Sequence, residues 1–263
     1  MRQTEFDIDG GRFCAYSSIA PRTGNSQRDA ELPVVLIHGI GMSHRYFVRL
    51  RDELARTRDV HSIDLPGFGR FGRPKEPFGQ ERMARALADV LDRLNVPRAV
   101  LVGHSMGAQW VVELARQRPD LADSVVLMGP VVDDERRTLR DQAAALALDT
   151  LGEPPVVNAI VFADYIRCGM PWYLTQLRHM MAYPIEERVA ELTAPVLVMR
   201  GGKDPVAGLE WCRRLRDHAR DGSVAIVPGH RHVVQFAGAR AVAFEIDTFV
   251  ARGREAVGGS APT

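Results

Sequence analysis

The chain has 263 residues, of which 46% are hydrophobic and 25% are charged, and its formal net charge is +1. This composition is typical of a packed globular protein and excludes wholesale disorder. The length predicts one large domain, or one domain with a sizeable insertion. A net charge near zero argues against a protein that binds nucleic acid, because such proteins usually carry a basic excess.

The cysteine content and the first residues of the chain bear on its location. Cys14, Cys168 and Cys212 lie far apart and lack the spacing of metal ligands, and so few cysteines are typical of a reducing compartment. Charged residues stand near Met1, where a signal peptide needs an apolar core. No apolar stretch approaches the roughly 18 residues that span a membrane. We therefore expect a cytoplasmic protein with no metal and no membrane partner.

The hydrophobic pattern predicts strands that alternate with helices. Residues 4–18 are typical of two short strands around Gly10-Gly11, and residues 19–31 are predicted to form a loop. Continuous apolar runs predict buried strands at 33–38, 60–63, 99–102, 124–128, 196–199 and 224–227. Helical patterns between them cover 44–57, 78–94, 106–118, 206–220 and 237–251. This alternation predicts a parallel sheet covered by helices on both faces.

One long interval interrupts the alternation. Between the strands at 124–128 and 196–199 no buried strand is indicated, but residues 134–149 have a helical pattern. Because so long a loop without structure is uncommon in a compact domain, we predict an inserted helical lid. The Gly-, Ala-, Ser- and Pro-rich end predicts a flexible tail. The predicted organisation is a core at 1–129 and 195–251, a lid at 130–194 and a tail at 252–263.

Residues Gly103-His104-Ser105-Met106-Gly107 match the G-x-S-x-G pattern of a nucleophile elbow. They follow a predicted strand and begin a predicted helix, which is the context that the pattern requires. Glycine is needed two positions to either side of Ser105, because side chains there would collide in so abrupt a turn. The helix N-terminus also favours a developing anion. The pattern predicts that Ser105 is a nucleophile.

A serine hydroxyl needs a base, and the base needs an orienting acid. Asp204 directly follows one predicted strand, and His230 and His232 directly follow the last one. The order Ser105, Asp204, His232 is the order expected of an α/β-hydrolase triad. Two alternatives remain at this point: His230 as the base, and Asp133, after the sixth strand, as the acid.

Over residues 4–251 the chain resembles the α/β-hydrolase superfamily, in its small-molecule branch of esterases, C–C bond hydrolases and cofactor-free haloperoxidase-like enzymes. The matching segments are His38-Gly39, Asp64-Leu-Pro-Gly-Phe-Gly69, the nucleophile elbow, Gly201-Gly202-Lys203-Asp204 and His232-Val233. The resemblance implies an α/β fold with a mostly parallel eight-stranded sheet, flanked by helices and carrying a helical lid.

The resemblance also implies roles for individual residues. His232 is the expected base because an apolar residue follows it, as in the family, whereas Arg231 stands where glycine is commoner. Asp204 is the expected acid. The backbone amides of Ile40 and Met106 are expected to form the oxyanion hole. From the aromatic and methionine-rich lid we select Met170 and Trp172 as candidate substrate-binding residues.

A second glycine pattern, from Gly67 to Gly72, matches the G-x-G-x-x-G fingerprint of dinucleotide-binding proteins. That fingerprint needs a helix opening within it, whereas Arg73-Pro74 and Pro77 prolong a loop here. The family has its own glycine-rich turn at this place. We therefore expect no nucleotide and no other cofactor.

These observations together predict an enzyme that cleaves an ester of a small, largely apolar substrate through an acyl-enzyme on Ser105. Dehalogenases and epoxide hydrolases of this fold carry aspartate at the nucleophile position, so they are excluded. Two other hypotheses stay open. One is a C–C bond hydrolase, or a cofactor-free lyase or cyclase of secondary metabolism. The other is a ligand-binding protein without catalytic activity.

Overall fold

The structure is a computed structural model that describes residues 1–21, 31–150, 152–153 and 155–258. Its centre is an eight-stranded sheet with the order β1-β2-β4-β3-β5-β6-β7-β8. The strands are β1 (Arg2–Ile8), β2 (Gly11–Ser18), β3 (Val34–Ile37), β4 (Val60–Asp64), β5 (Ala99–His104), β6 (Ala122–Met128), β7 (Val196–Gly201) and β8 (Gly222–Val227). Strand β2 runs antiparallel to β1 and β4, and the other neighbours are parallel. The predicted mostly parallel, eight-stranded sheet is confirmed.

Ten α-helices flank the sheet in the described part of the chain. They are α1 (Val48–Leu54), α2 (Gln80–Arg93), α3 (Met106–Gln117), α4 (Leu139–Thr150), α5 (Pro155–Cys168), α6 (Met170–Ala182), α7 (Ile185–Ala190), α8 (Leu209–His218), α9 (Val234–Ala237) and α10 (Ala239–Gly258). Short 3-10 helices occupy His44–Phe47 and Asp134–Arg136.

The predicted tail and the predicted loop at 19–31 lie partly outside the described residues. Helix α10 continues to Gly258, so the predicted flexible tail from 252 is wrong for its first seven residues, whose helical pattern persists despite the glycines. Residues 259–263 of that tail lie outside the described residues. Most of the predicted loop at 19–31 does so as well.

The central strands are apolar throughout because both faces of the sheet are covered. In β3, Val35 and Ile37 belong to the core on one face, whereas Val34 and Leu36 belong to the core on the other. Side chains of α2, α3 and α8 complete the first core, and those of α1 and α10 complete the second. No helix in the described ranges is both long and apolar enough to cross a membrane.

Helices α4 to α7 form the insertion between β6 and β7, and buried carboxylates tie it to the core. Glu113 on α3 accepts a hydrogen bond from the Tyr183 hydroxyl at 2.9 Å. Asp164 on α5 accepts one from the Ser43 hydroxyl at 2.6 Å and one from the Arg45 guanidinium at 3.2 Å. Because Ser43 and Arg45 lie just after β3, these bonds hold the insertion over the carboxyl ends of the strands.

Candidate active site

Ser105 occupies a strained turn between β5 and α3. Its φ of 55° and ψ of −122° lie in a backbone region that residues other than glycine rarely adopt. A Cβ at Gly103 or Gly107 would overlap neighbouring backbone atoms, which explains both glycines of the elbow. The Ser105 N–H donates to the carbonyl oxygen of Met128 at 2.9 Å, so the turn is fixed to the adjacent strand β6.

His232 and Asp204 form a buried hydrogen-bonded pair. Nδ1 of His232 lies 2.9 Å from Oδ2 of Asp204. The other carboxylate oxygen of Asp204 accepts the N–H groups of Val206 and Ala207 at 2.8 and 3.0 Å. Because an ionised carboxylate only accepts hydrogen bonds, Nδ1 of His232 carries the proton. Its Nε2 is buried and has no hydrogen-bond partner among the residues described, so it is available to accept a proton.

The two members of this pair shift each other's pKa values. Burial would lower the pKa of His232, but the negative charge and hydrogen bond of Asp204 outweigh it, and the pKa is raised above its usual value. Burial would likewise raise the pKa of Asp204, but His232 and two backbone N–H groups hold it below its usual value. The pair therefore favours a protonated His232 next to an ionised Asp204.

Arg200, at the end of β7, fixes the loop that carries Asp204. Its buried guanidinium donates to the carbonyl oxygens of Asp204 and Ala207 at 2.7 and 2.6 Å. This residue was not predicted from the sequence. An arginine near the end of an otherwise apolar strand was the signal that could have found it, because a buried charge requires partners.

A hydrogen-bonded relay joins three loops of the site. Nε2 of His104 donates to the carbonyl oxygen of His232 at 2.9 Å, because that oxygen can only accept. Nδ1 of His104 therefore accepts from the Tyr46 hydroxyl at 3.0 Å, and that hydroxyl accepts the Gly39 N–H at 2.6 Å. Burial lowers the pKa of His104 to about 3, so its ring is neutral at physiological pH. Sequence reasoning placed Tyr46 in a helix and missed this role.

The loop after β3 passes directly against Ser105. A Cβ at Gly39 would lie 2.9 Å from the Cβ of Ser105, so only glycine fits there. His38 shapes the loop: its Nδ1 donates to the Gly39 carbonyl oxygen at 2.8 Å, and its Nε2 accepts the Leu65 N–H at 3.1 Å. Ile40 follows in this loop and lines the cavity beside Ser105, and Met106 begins helix α3.

A cavity of about 290 Å³ lies between Ser105 and the insertion. Ser105 and His232 both line it, and most of its other walls are apolar or aromatic, including Ile40, Met42, Val131, Leu146, Val157, Val161, Tyr165, Tyr173 and Met180. Two carboxylates of the insertion, Asp149 and Glu153, also line it. Neither carboxylate was predicted from the sequence.

The structure corrects the two candidate substrate-binding residues, which do not line this cavity. Met170 is 67% exposed at the start of α6. Trp172 is 4% exposed, but it packs edge-on against Phe68 and lies over Gly67 instead of facing Ser105. The helical rotation of α6 turns Tyr173 and Met180 toward the cavity and points Met170 outward.

The alternative residues for the triad lie elsewhere. His230 packs against Gly238 and lines a separate surface cleft. Asp133 accepts the Glu135 N–H at the start of a short 3-10 helix and pairs with Arg214 at 2.6 Å. Across the described ranges, no group of three or more His, Cys, Asp or Glu side chains is arranged to hold a metal ion.

Comparison with known proteins relates the chain to hydrolases. Residues 33–166 match a family model described as the alpha/beta hydrolase fold, and residues 171–261 match one described as TAP-like protein. A Caenorhabditis elegans abhydrolase domain-containing protein, abhd-5.2, is 34% identical over 105 residues, which cover 38% of this chain and only 24% of that protein. Esterase YbfF of Escherichia coli is 26% identical over 84% of this chain and 91% of its own length. Among solved structures, Est816, an N-acyl homoserine lactone degrading enzyme, superposes with a TM-score of 0.79 at 20% identity, over 94% of this chain and 100% of that chain.

Proposed function

This chain belongs to the α/β hydrolase family, and on that premise we propose that it is a serine hydrolase that cleaves an ester bond of a small, largely apolar substrate. The observation that carries the proposal is the His232–Asp204 pair. Within the described residues, this pair leaves Nε2 of His232 buried and without a hydrogen-bond partner. His232 lies on the wall of the cavity that Ser105 also lines. The similarity to esterase YbfF over most of the chain supports the choice of an ester.

In the first half of the reaction, Oγ of Ser105 attacks the ester carbonyl carbon while Nε2 of His232 takes its proton. The negative charge that develops on the carbonyl oxygen is stabilised by the backbone N–H groups of Ile40 and Met106. Asp204 stays ionised and stabilises the imidazolium. His232 then gives the proton to the leaving alcohol, and the acyl group remains on Ser105.

In the second half, His232 takes a proton from a water molecule that attacks the acyl-enzyme. The tetrahedral intermediate collapses, Ser105 recovers its proton from His232, and the carboxylic acid leaves. The same Nε2 atom serves both halves, because the hydrogen bond to Asp204 keeps the imidazole in one tautomer.

The cavity bears on the size of the substrate. Its volume of about 290 Å³ lies at the lower end of the range for small-molecule sites, which is roughly 300–1,000 Å³. A short acyl chain or a single ring fits such a space, and the apolar walls favour substrates with few polar groups. We therefore expect faster cleavage of short-chain p-nitrophenyl esters than of long-chain ones.

The test is labelling with a fluorophosphonate, which reacts with activated serines, followed by a panel of p-nitrophenyl esters. We expect one label per chain, absent in Ser105→Ala, together with ester turnover. Ser124→Ala is the control, because Ser124 is also buried and its hydroxyl has no hydrogen-bond partner within the described part of the chain. Labelling without turnover of any ester would favour C–C bond, lyase or cyclase chemistry. A folded protein that is not labelled would favour a binding protein.

A further inference from the structure

The insertion forms hydrogen bonds with three consecutive residues of the loop that carries His232. Oδ1 of Asp149 accepts the backbone N–H of His232 at 3.1 Å, and Oε1 of Glu153 accepts that of Val233 at 3.0 Å. The guanidinium of Arg231 donates in the opposite direction, to the carbonyl oxygen of a residue in α4, at 3.2 Å. We call this set of contacts the clasp; it comprises Leu148, Asp149, Glu153, Arg231, His232 and Val233.

The chain around Asp149 is shaped to form the clasp. The carbonyl oxygen of Asp149 accepts the N–H groups of Gly152 and Glu153 at 2.9 and 3.1 Å, which turns the chain at the end of α4. A Cβ at Gly152 would overlap the guanidinium of Arg231, so the lack of a side chain at Gly152 leaves room for the arginine in the position it occupies. The arginine that departs from the family's commoner glycine is thus accommodated by a glycine on the insertion.

Both carboxylates are buried next to the imidazole. Burial raises the pKa of Asp149 and of Glu153, because a charged carboxylate loses its hydration there. Their negative charges in turn help to raise the pKa of His232. The titratable and charged groups that surround this imidazole are Asp204 after β7, Asp149 and Glu153 on the insertion, neutral His104 at the end of β5, and Arg231 in its own loop.

A purely structural link would not require charge at these positions. Two backbone N–H groups could be satisfied by neutral acceptors, such as amide or hydroxyl oxygens, without the free energy needed to bury a carboxylate. Both acceptors here are instead carboxylates that line the cavity beside His232. Their placement joins two functions: they hold the main chain of the base, and they set the charge around its ring.

We propose that Asp149 and Glu153 are positioning residues for His232, which hold the main chain of its loop and place two negative charges beside its imidazole. The proposal rests on the proposed function, in which His232 is the base. In this proposal the insertion does more than cover the cavity. His232 is correctly placed, and its pKa is fully raised, only when the insertion packs against its loop.

The test compares the wild type with Asp149→Asn and Glu153→Gln, which keep the side-chain shape and an acceptor oxygen but remove the charge. Asp141→Asn is the control, because Asp141 is an exposed carboxylate on the same helix that bonds to Thr138 instead. Protein labelled with ¹³C at the histidine Cε1 is titrated by NMR, and the His232 signal is assigned by its loss in His232→Gln. The rate of fluorophosphonate labelling is measured over the same pH range.

We expect the titration of His232, and the acid limb of the labelling rate, to move to lower pH in both charge-removing variants but not in Asp141→Asn. We expect Asp149→Ala, which also loses the hydrogen bond, to be labelled about tenfold more slowly at pH 8. An unmoved His232 titration in both Asp149→Asn and Glu153→Gln would overturn the proposal. The NMR measurement does not depend on activity, so a wild type that is never labelled would overturn the proposed function separately.

Discussion

His104 donates a hydrogen bond from Nε2 to the main-chain carbonyl oxygen of His232, and the two imidazole centroids lie 4.7 Å apart. His104, which precedes Ser105, thus supports the loop of His232 from the side of the sheet, while Asp149 supports it from the insertion. Two separate elements thus fix the backbone of His232, and Asp204 orients its ring.

We expect Tyr46→Phe to impair catalysis more than substrate binding. The substitution leaves the Gly39 N–H and Nδ1 of His104 without their buried partner, because the Tyr46 hydroxyl serves both. Unfolding in urea should show a loss of about 1–3 kcal/mol, and kcat should fall about tenfold to a hundredfold because small displacements of catalytic groups are costly. Tyr16→Phe on β2 is the control, because it removes the hydroxyl of another buried tyrosine that is not part of the relay. Equal kcat in wild type and Tyr46→Phe would contradict a positioning role for the relay.

The pH dependence of kcat/KM follows from the raised pKa of His232. The base works only when it is neutral, so activity is lost as the pH falls through the pKa of His232. Because that pKa lies above the usual value of 6.5, we expect the midpoint of the acid limb to lie above 6.5 as well. Asp204→Asn removes the main cause of the shift, and we expect a loss on the order of ten thousandfold in kcat. A midpoint below 6.5 in the wild type would contradict the assignment of the base.

We expect Gly39→Ala to abolish most activity while the fold persists. The new methyl group would lie 2.9 Å from the Cβ of Ser105, so the loop that carries the Ile40 amide must move away. Loss of an oxyanion donor lowers kcat by about a hundredfold to a thousandfold. Gly72→Ala is a matched control, because a Cβ there meets no atom within 4 Å. Circular dichroism and ester turnover of the two variants, measured together, separate misfolding from loss of the oxyanion hole.

Asp149→Asn should stabilise the protein at pH 8. Burial raises the folded-state pKa of Asp149, so the folded protein binds this proton more tightly than the unfolded chain does. Its contribution to the free energy of unfolding therefore declines as the pH rises through that range, and the ionised carboxylate disfavours folding at pH 8. We expect a higher Tm than that of the wild type at pH 8, and a smaller difference below about pH 4, where the unfolded carboxylate is also protonated. A lower Tm at pH 8 would contradict this reasoning.

The fold could be predicted from the sequence because its signals are local. Each central strand is a short apolar run, and each run is followed by a helical pattern, so strand and helix alternate in the printed sequence. The elbow is equally local, since the space around Gly103 and Gly107 depends on backbone within the same turn or the adjacent strand.

The cavity lining could not be predicted in this way. Met170 and Trp172 lie on α6 with Tyr173, and only the rotation of that helix decides which of the three faces Ser105. The same limit applies to Tyr46, whose hydroxyl meets His104 across 58 positions of the chain. Asp149 had no distinguishing signal, because a carboxylate near a helix end is ordinarily solvated.

The positions of the strands along the chain have a consequence for protein synthesis. The Ser105 turn is fixed to β6, which leaves the ribosome early, whereas Asp204 and His232 follow β7 and β8, which are translated much later. A nascent chain that ends before β7 contains Ser105 but neither Asp204 nor His232. The cavity that Ser105 and His232 both line is therefore completed only when the last two strands join the sheet.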